Sequence, residues 1–139
     1  KPGRYRGQCA EFCGLQHAHM AFFVTADSPA AFNAWRDSQL AAPPAPANPE
    51  VAQGSALFAA RCASCHTVSG TPAGGIVGPE LSHLATRTTL AAGTIPNDAE
   101  HLSAWIADPD AIKPGVLMPK APLTAAERAQ VVAYLQSLT

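Results

Sequence analysis

The sequence predicts a mainly α-helical fold preceded by a short β-containing segment, and three observations carry that expectation. The run AAPPAPANP at residues 41–49 divides the chain. Three stretches beyond it combine helix-start signals with apolar residues at helical spacing. Ahead of it, about 40 residues with a single strand-like run are too few to enclose a core of their own.

Taken in order, AFFVTA at residues 21–26 reads as a strand, rich in β-branched and aromatic side chains. Ser28 is placed as an N-cap with Pro29 at the first helical position, opening a helix through about Leu40. The Ala/Pro run cannot sit in a helix interior or a sheet ladder; its nine residues, extended at about 3.1 Å each, span roughly 28 Å as a semi-rigid tether. Asn48 and Pro49 start the next helix, which reaches about Cys62 with Val51, Leu57 and Phe58 as its apolar residues. Asn97 with Glu100 has the capping-box pattern for a helix through Leu102, Trp105 and Ile106 that stops at Asp108-Pro109. Thr124 with Glu127 repeats the pattern for a last helix with Val131, Val132, Leu135 and Leu138 on one face. The units expected are therefore residues 1–40, the linker 41–49, and residues 50–139. Long Gly- and Pro-rich loops (TPAGGIVGP, KPGVLMPKAP) separate the last helices, leaving the third unit short of core unless something fills its middle.

The chain has 139 residues, 47% of them apolar, and a net charge of −1, which gives no electrostatic case for nucleic acid or an anionic membrane surface. No apolar run approaches the roughly 20 residues that span a bilayer. The start, KPGRYRGQC, has neither the layout of a signal peptide nor an initiator methionine, so it reads as the interior of a longer protein whose anchor or export signal lies upstream. The four cysteines form two close pairs, separated by three and by two residues. Disulfides that local would close tiny loops and stabilise little, so ligation or covalent attachment is the better reading.

Cys62-Ala63-Ser64-Cys65-His66 is a C-x-x-C-H motif, the attachment pattern of c-type haem: two thiols for the vinyl groups and a histidine for the iron. A zinc site would need further ligands, and no other cysteine follows the linker; a thioredoxin-like motif would need a βαβ setting, which the pattern lacks. Met118, the only methionine after the linker, is the expected sixth ligand, a thioether that raises the reduction potential. His83 and His101 are rivals; His83 reads as capping or packing, and His101 as a surface residue on a helix. Residues 50–139 resemble class I cytochromes c, in Gly54 and Phe58 where the first helix crosses the last near Tyr134 and Leu135, in Gly78-Pro79-x-Leu81, and in Arg87 and Trp105. The resemblance implies a class I cytochrome c domain with covalent haem c, and assigns Arg87 and Trp105 to the haem propionates. From the residues alone, a solvated arginine and a core tryptophan are equally compatible.

Residues 7–20 read GQCAEFCGLQHAHM, setting Cys9, Cys13, His17 and Met20 at C-x3-C-x3-H-x2-M. Gly7 and Gly14 favour a loop over a helix here. Two thiols, an imidazole and a thioether are a soft ligand set suited to copper, and the spacing alone is equally compatible with a Cys9–Cys13 disulfide beside an unrelated His and Met. The stretch resembles the dinuclear copper A loop of cytochrome c oxidase subunit II. That resemblance implies that both cysteines bridge two coppers, His17 gives an imidazole, Met20 a weak thioether and Glu11 a backbone carbonyl, with the Glu11 side chain toward a magnesium site shared with subunit I. His19 has no role in the pattern and reads as surface. The family also needs a histidine on an upstream strand, and most of its cupredoxin barrel and membrane hairpin, none of which lies in these residues; residues 1–40 are expected to be the C-terminal remnant of a β cupredoxin domain, with copper A incomplete in this chain.

The two motifs together resemble subunit II of a haem-copper oxidase with a fused C-terminal cytochrome c, of the caa3 type and N-terminally truncated. The implied role is electron transfer from a donor (a cytochrome c or a quinol-oxidising complex) through haem c and copper A to subunit I, for oxygen reduction coupled to proton pumping. The implied place is the outer, periplasmic face of the bacterial plasma membrane, held there by the upstream anchor. No residue is set up for acid–base or nucleophilic catalysis, so the chain is expected to be a redox relay of an enzyme. A nitrous oxide reductase with a fused cytochrome is the first alternative, marked by an upstream propeller domain. A simple soluble electron-carrier cytochrome with an inert N-terminal extension is the second.

Overall fold

The computed structural model describes residues 1–139. A two-stranded antiparallel hairpin, β1 (Gly3–Gln8) and β2 (Ala21–Ala26), is followed by helix α1 (Pro29–Leu40) and, after the 41–49 segment, helix α2 (Pro49–Arg61). A two-residue ladder, β3 (Thr89–Leu90) with β4 (Ile95–Pro96), precedes helices α3 (Ala99–Ala107), α4 (Pro109–Ile112) and α5 (Ala125–Gln136). No helix is long and apolar enough to cross a membrane.

β2 and α1 form where the sequence places them, and Ser28 accepts the Ala31 amide as the cap of α1. β1 was not expected. GRYRGQ has no alternating apolar face, and five of its six residues are exposed. It becomes a strand because β2 offers it a ladder, in register from Gly3 opposite Ala26 to Gln8 opposite Ala21. Ala21 is the only buried residue ahead of α2, as expected of a segment too short for its own core.

The core belongs to residues 51–138, where Val51, Phe58, Leu102, Ile106, Val131, Val132, Leu135 and Leu138 are buried together. Leu57 and Trp105 are only half-buried. The crossing of α2 over α5 organises this core. A Cβ on Gly54 would lie 2.0 Å from the Gln130 carbonyl oxygen, so only glycine allows the backbones this close. One turn on, the Phe58 and Tyr134 rings meet at 5.5 Å between centroids. Burial pushes the Tyr134 phenol above its ordinary value, and a hydrogen bond with Ser55 partly offsets this.

The three caps from α3 onward meet expectation to different degrees. Thr124 and Glu127 close the expected capping box on α5. The cap of α3 is Asp98, one residue later than expected, accepting the His101 amide at 2.9 Å. Asn97 instead directs its amide donors to the Leu84 and Arg87 carbonyls, at 2.7 and 2.8 Å. A carboxylate accepts only, so of two adjacent good caps the aspartate takes the helix and the amide, which can donate, ties down the loop. Asp108-Pro109 ends α3 as expected but also opens α4, with Asp108 as cap and Pro109 in the first turn.

Candidate functional site

The C-x-x-C-H segment is a turn wound off the end of α2. The amides of Cys65 and His66 both donate to the Cys62 carbonyl at 3.0 Å, and the Cys62 amide to the Phe58 carbonyl at 2.8 Å. Cys62 and Cys65 are free thiols. Burial, then the neighbouring Cys65, pushes the Cys62 thiol above its ordinary value. His66 is 9% exposed. Its Nδ1 lies 2.7 Å from the Pro79 carbonyl oxygen. A carbonyl can only accept, so Nδ1 carries the proton and Nε2 keeps the lone pair that binds a metal.

Residues 74–79 strap this turn. The Gly75 amide donates to the Ala63 carbonyl at 3.1 Å and the Gly78 amide to the Cys65 carbonyl at 2.7 Å. A Cβ on Gly75 would come within 2.5 Å of the Ser64–Cys65 backbone, and one on Gly78 within 2.5 Å of the His66 ring. The two glycines thus let the strap lie flat on the motif. Between them Ile76 and Val77 are exposed, as is Leu117 beside Met118. Two free thiols, one imidazole presenting Nε2 and exposed apolar side chains on the strap fit a covalently held haem c.

Met118 is half-buried in the loop between α4 and α5. That loop is tied at both ends: the Gly115 amide donates to Asp110 Oδ1 at 2.8 Å, and Lys120 pairs with Asp108, whose carboxyl this contact holds below the usual range. Within it Lys113 is buried, and desolvation lowers its ammonium pKa. Each rival histidine has one ring nitrogen in use, and His83 Nδ1 is buried without a partner. His83 Nε2 donates to the Gln39 carbonyl at 3.1 Å, and His101 Nδ1 lies 2.8 Å from the Asp98 carboxylate. Arg87 is exposed and donates to the Glu80 carbonyl; Trp105 is half-buried on α3. Sequence reading missed the Pro79 carbonyl and Gly75. The G-P-x-L pattern marked the loop, but nothing in a side-chain pattern tells which main-chain oxygen reaches a ring.

The second cluster sits in the loop that joins β1 to β2. The ladder ends at Gln8 opposite Ala21, and the Cys9 amide donates to the Met20 carbonyl at 3.0 Å, closing the base. Gly14, at φ +105°, makes the turn that a side chain would oppose, and a short 3-10 turn at His17–His19 follows. Cys9 Sγ lies 3.5 Å from Cys13 Sγ and 3.2 Å from the Glu11 carbonyl oxygen. Cys13 Sγ in turn is 4.0 Å from both His17 Nδ1 and Met20 Sδ. The ligand atoms of Cys9, Cys13 and His17 all lie within 4.8 Å of one another. The hydrogen bond with Cys9 pushes the Cys13 thiol upward, so a metal binding here would displace protons. Two thiols, an imidazole and a thioether gathered this closely suit a soft transition metal. His19 is exposed and stands outside the cluster.

Residues 51–139 match the family described as Cytochrome c. Cytochrome c oxidase subunit 2 of Alkalihalophilus pseudofirmus is 36% identical over 140 residues, covering 99% of this chain and 40% of that protein. The proteins of the same name from Bacillus sp. strain PS3 and Bacillus subtilis strain 168 are 35% and 34% identical, over 81% and 95% of this chain and 33% and 38% of their own length. The chain therefore spans about 40% or less of these relatives.

Proposed function

The chain belongs to the cytochrome c family, its likeness to oxidase subunit 2 fits the fused, caa3-type subunit, and from that premise we propose that it is the electron-transfer subunit of a haem-copper terminal oxidase. In this reading residues 1–40 are the end of a cupredoxin copper A domain, residues 41–49 a linker, and residues 50–139 a cytochrome c domain. Haem c held at residues 62–66 and copper A held at residues 9–20 would supply one-electron chemistry between a donor and subunit I, on the outer face of the bacterial plasma membrane.

The observation that carries the proposal is the presence in one chain of two preorganised ligand sets: His66 with Nδ1 bound to Pro79, and the Cys9–Cys13–His17–Met20 cluster. Cys62 and Cys65 would hold a haem c covalently, and His66 and Met118 would be its iron ligands. The Pro79 carbonyl fixes the His66 tautomer and the orientation of its ring. The Met118 thioether favours a high potential, suited to a carrier that feeds an oxidant. Arg87 and Trp105 are proposed for the propionates. Cys9, Cys13, His17, Met20 and the Glu11 carbonyl would hold copper, with a further histidine from outside residues 1–139, and the metal would supply one-electron redox chemistry.

The test is copper analysis and electron paramagnetic resonance on the full-length, haem-loaded protein. Two coppers per chain with a delocalised mixed-valence signal are expected, and Cys13→Ser should abolish that signal while covalent haem remains. A full-length protein that takes up haem but no copper overturns the reading.

A further inference from the structure

A linker alone would leave the hairpin unit free to swing, coupled to the helical unit only through effective concentration. The structure instead joins the two units by contacts at four places. Gln16, the residue before His17, donates from Nε2 to the Pro114 carbonyl, in the loop that carries Met118. Beside it Leu15 lies on Gly115, where an added Cβ would stand 3.0 Å from Leu15 Cδ1 and 3.3 Å from Gln16 Nε2, and where φ is +84°. Glycine thus answers two demands at once: a left-handed backbone and room for the opposing loop. The Ala21 amide donates to the Ala92 carbonyl at 2.9 Å, and Gly93 approaches so closely that a Cβ there would be 3.1 Å from Ala21 Cβ. Ala91 and Ala92 hold φ values of 51° and 56°, a left-handed conformation that non-glycine residues adopt at a cost. Arg4 Nη2 reaches Thr88 Oγ1 at 2.6 Å, and the last turn of α1 offers the Gln39 carbonyl to His83.

We infer that the hairpin unit is docked on the helical unit, with Gln16 as the latch, so that the loop bearing Cys9, Cys13, His17 and Met20 and the loop bearing Met118 form one junction. The occupant of the surface on each unit is the other part of the same chain. Its buried centre is Ala21, and polar contacts surround it. The Gln16 amide is committed to this contact. Its Oε1 is buried without a partner, so loss of the Nε2 bond would leave the whole amide unsatisfied in the closed state. From the Met118 loop to His17 the path is continuous, through the chain to Pro114, one hydrogen bond to Gln16, and one peptide unit onward. Electronic coupling decays more slowly along such a path than across a gap. Only this last consequence rests on the electron-relay reading; the docking does not.

The experiment uses the full-length, metal-loaded protein and two variants, Gln16→Ala at one end of the surface and Arg4→Ala at the other. Amide exchange at Ala21 reports docking, and the first-order electron exchange between haem c and copper A after flash reduction reports coupling. Gln16→Ala should speed Ala21 exchange about fivefold, as expected for one lost hydrogen bond. It should also slow the transfer several-fold, with haem and copper spectra unchanged. Arg4→Ala lies outside the ligand loop and should speed Ala21 exchange with no effect on either spectrum, which separates undocking from damage to the loop. Unchanged Ala21 exchange in both variants overturns the docking, and an unchanged transfer rate in Gln16→Ala overturns the role of the latch. Absence of copper from the parent protein would remove the relay reading and leave the exchange measurement intact.

Discussion

Gly54→Ala sets two terms against each other at the crossing of α2 and α5. The added methyl would stand 2.0 Å from the Gln130 carbonyl oxygen, 2.6 Å from its carbon and 2.9 Å from Tyr134 Cβ. Nonbonded carbons prefer about 3.5–4.0 Å, so the helices must part by roughly 1 Å or more. Both near neighbours on Gln130 are backbone, and α5 is held by its own hydrogen-bond ladder and its capping box, so no side chain can swing aside. Overpacking of this kind costs about 3 kcal/mol at the upper end of its range. Alanine recovers about 1 kcal/mol in a helix interior, leaving a net loss of about 2 kcal/mol. For a unit of this size that corresponds to a fall in Tm of roughly 10–15 °C. Separation of the helices would also pull apart the Phe58–Tyr134 ring pair, now at 5.5 Å. The assay is thermal denaturation of the haem-loaded protein followed by circular dichroism. Gly74→Ala is the control, because a Cβ at Gly74 meets nothing within 4 Å. A Tm for Gly54→Ala at or above that of the parent would refute the reasoning, since helix propensity would then outweigh the close approach.

Two further outcomes follow. Met118→Ala should leave haem covalently attached through Cys62 and Cys65 but open the sixth position to carbon monoxide. Ready carbon monoxide binding by the reduced parent would show that Met118 is not the ligand. The carboxyls of Asp98 and Glu127 are both held below their ordinary values, chiefly by the backbone amides of His101 and Thr124. A depressed carboxylate stabilises the fold above its unfolded-state pKa and loses that contribution as pH falls through the folded one. Acid unfolding should therefore begin as pH drops below the ordinary carboxylate range, near ~4. Glu127→Gln should flatten that dependence, and an acid-unfolding curve identical to the parent's would argue against the capping carboxylates.

Short-range chemistry makes α1, α2 and α5 legible in the sequence. Ser28-Pro29, Asn48-Pro49 and Thr124-x-x-Glu127 each satisfy amides within their own first turn, so the signal and its partner lie within a few residues. Gly54 and Phe58 are legible through the resemblance to class I cytochromes c, whose helix-crossing glycine and aromatic they match. β1 is not, because its strand state comes entirely from pairing with residues some 20 positions away in sequence. Nor is the cap of α3, where the choice between Asn97 and Asp98 depends on two carbonyls that only the folded 84–87 loop presents.

The chain by itself determined which donors exist and in what local groups: C-x-x-C-H at residues 62–66, C-x3-C-x3-H-x2-M at residues 9–20, and one methionine beyond the linker. Only the tertiary structure decided how those donors are held. It brings the Pro79 carbonyl to His66 Nδ1, lays Gly75 and Gly78 on the motif, commits His83 to Gln39, and seats Gln16 against Pro114, 98 positions away. Spacing of a few residues constrains side chains because the intervening backbone is short and stiff. Contacts across tens of residues depend on main-chain atoms, which are alike at every position until folding places them.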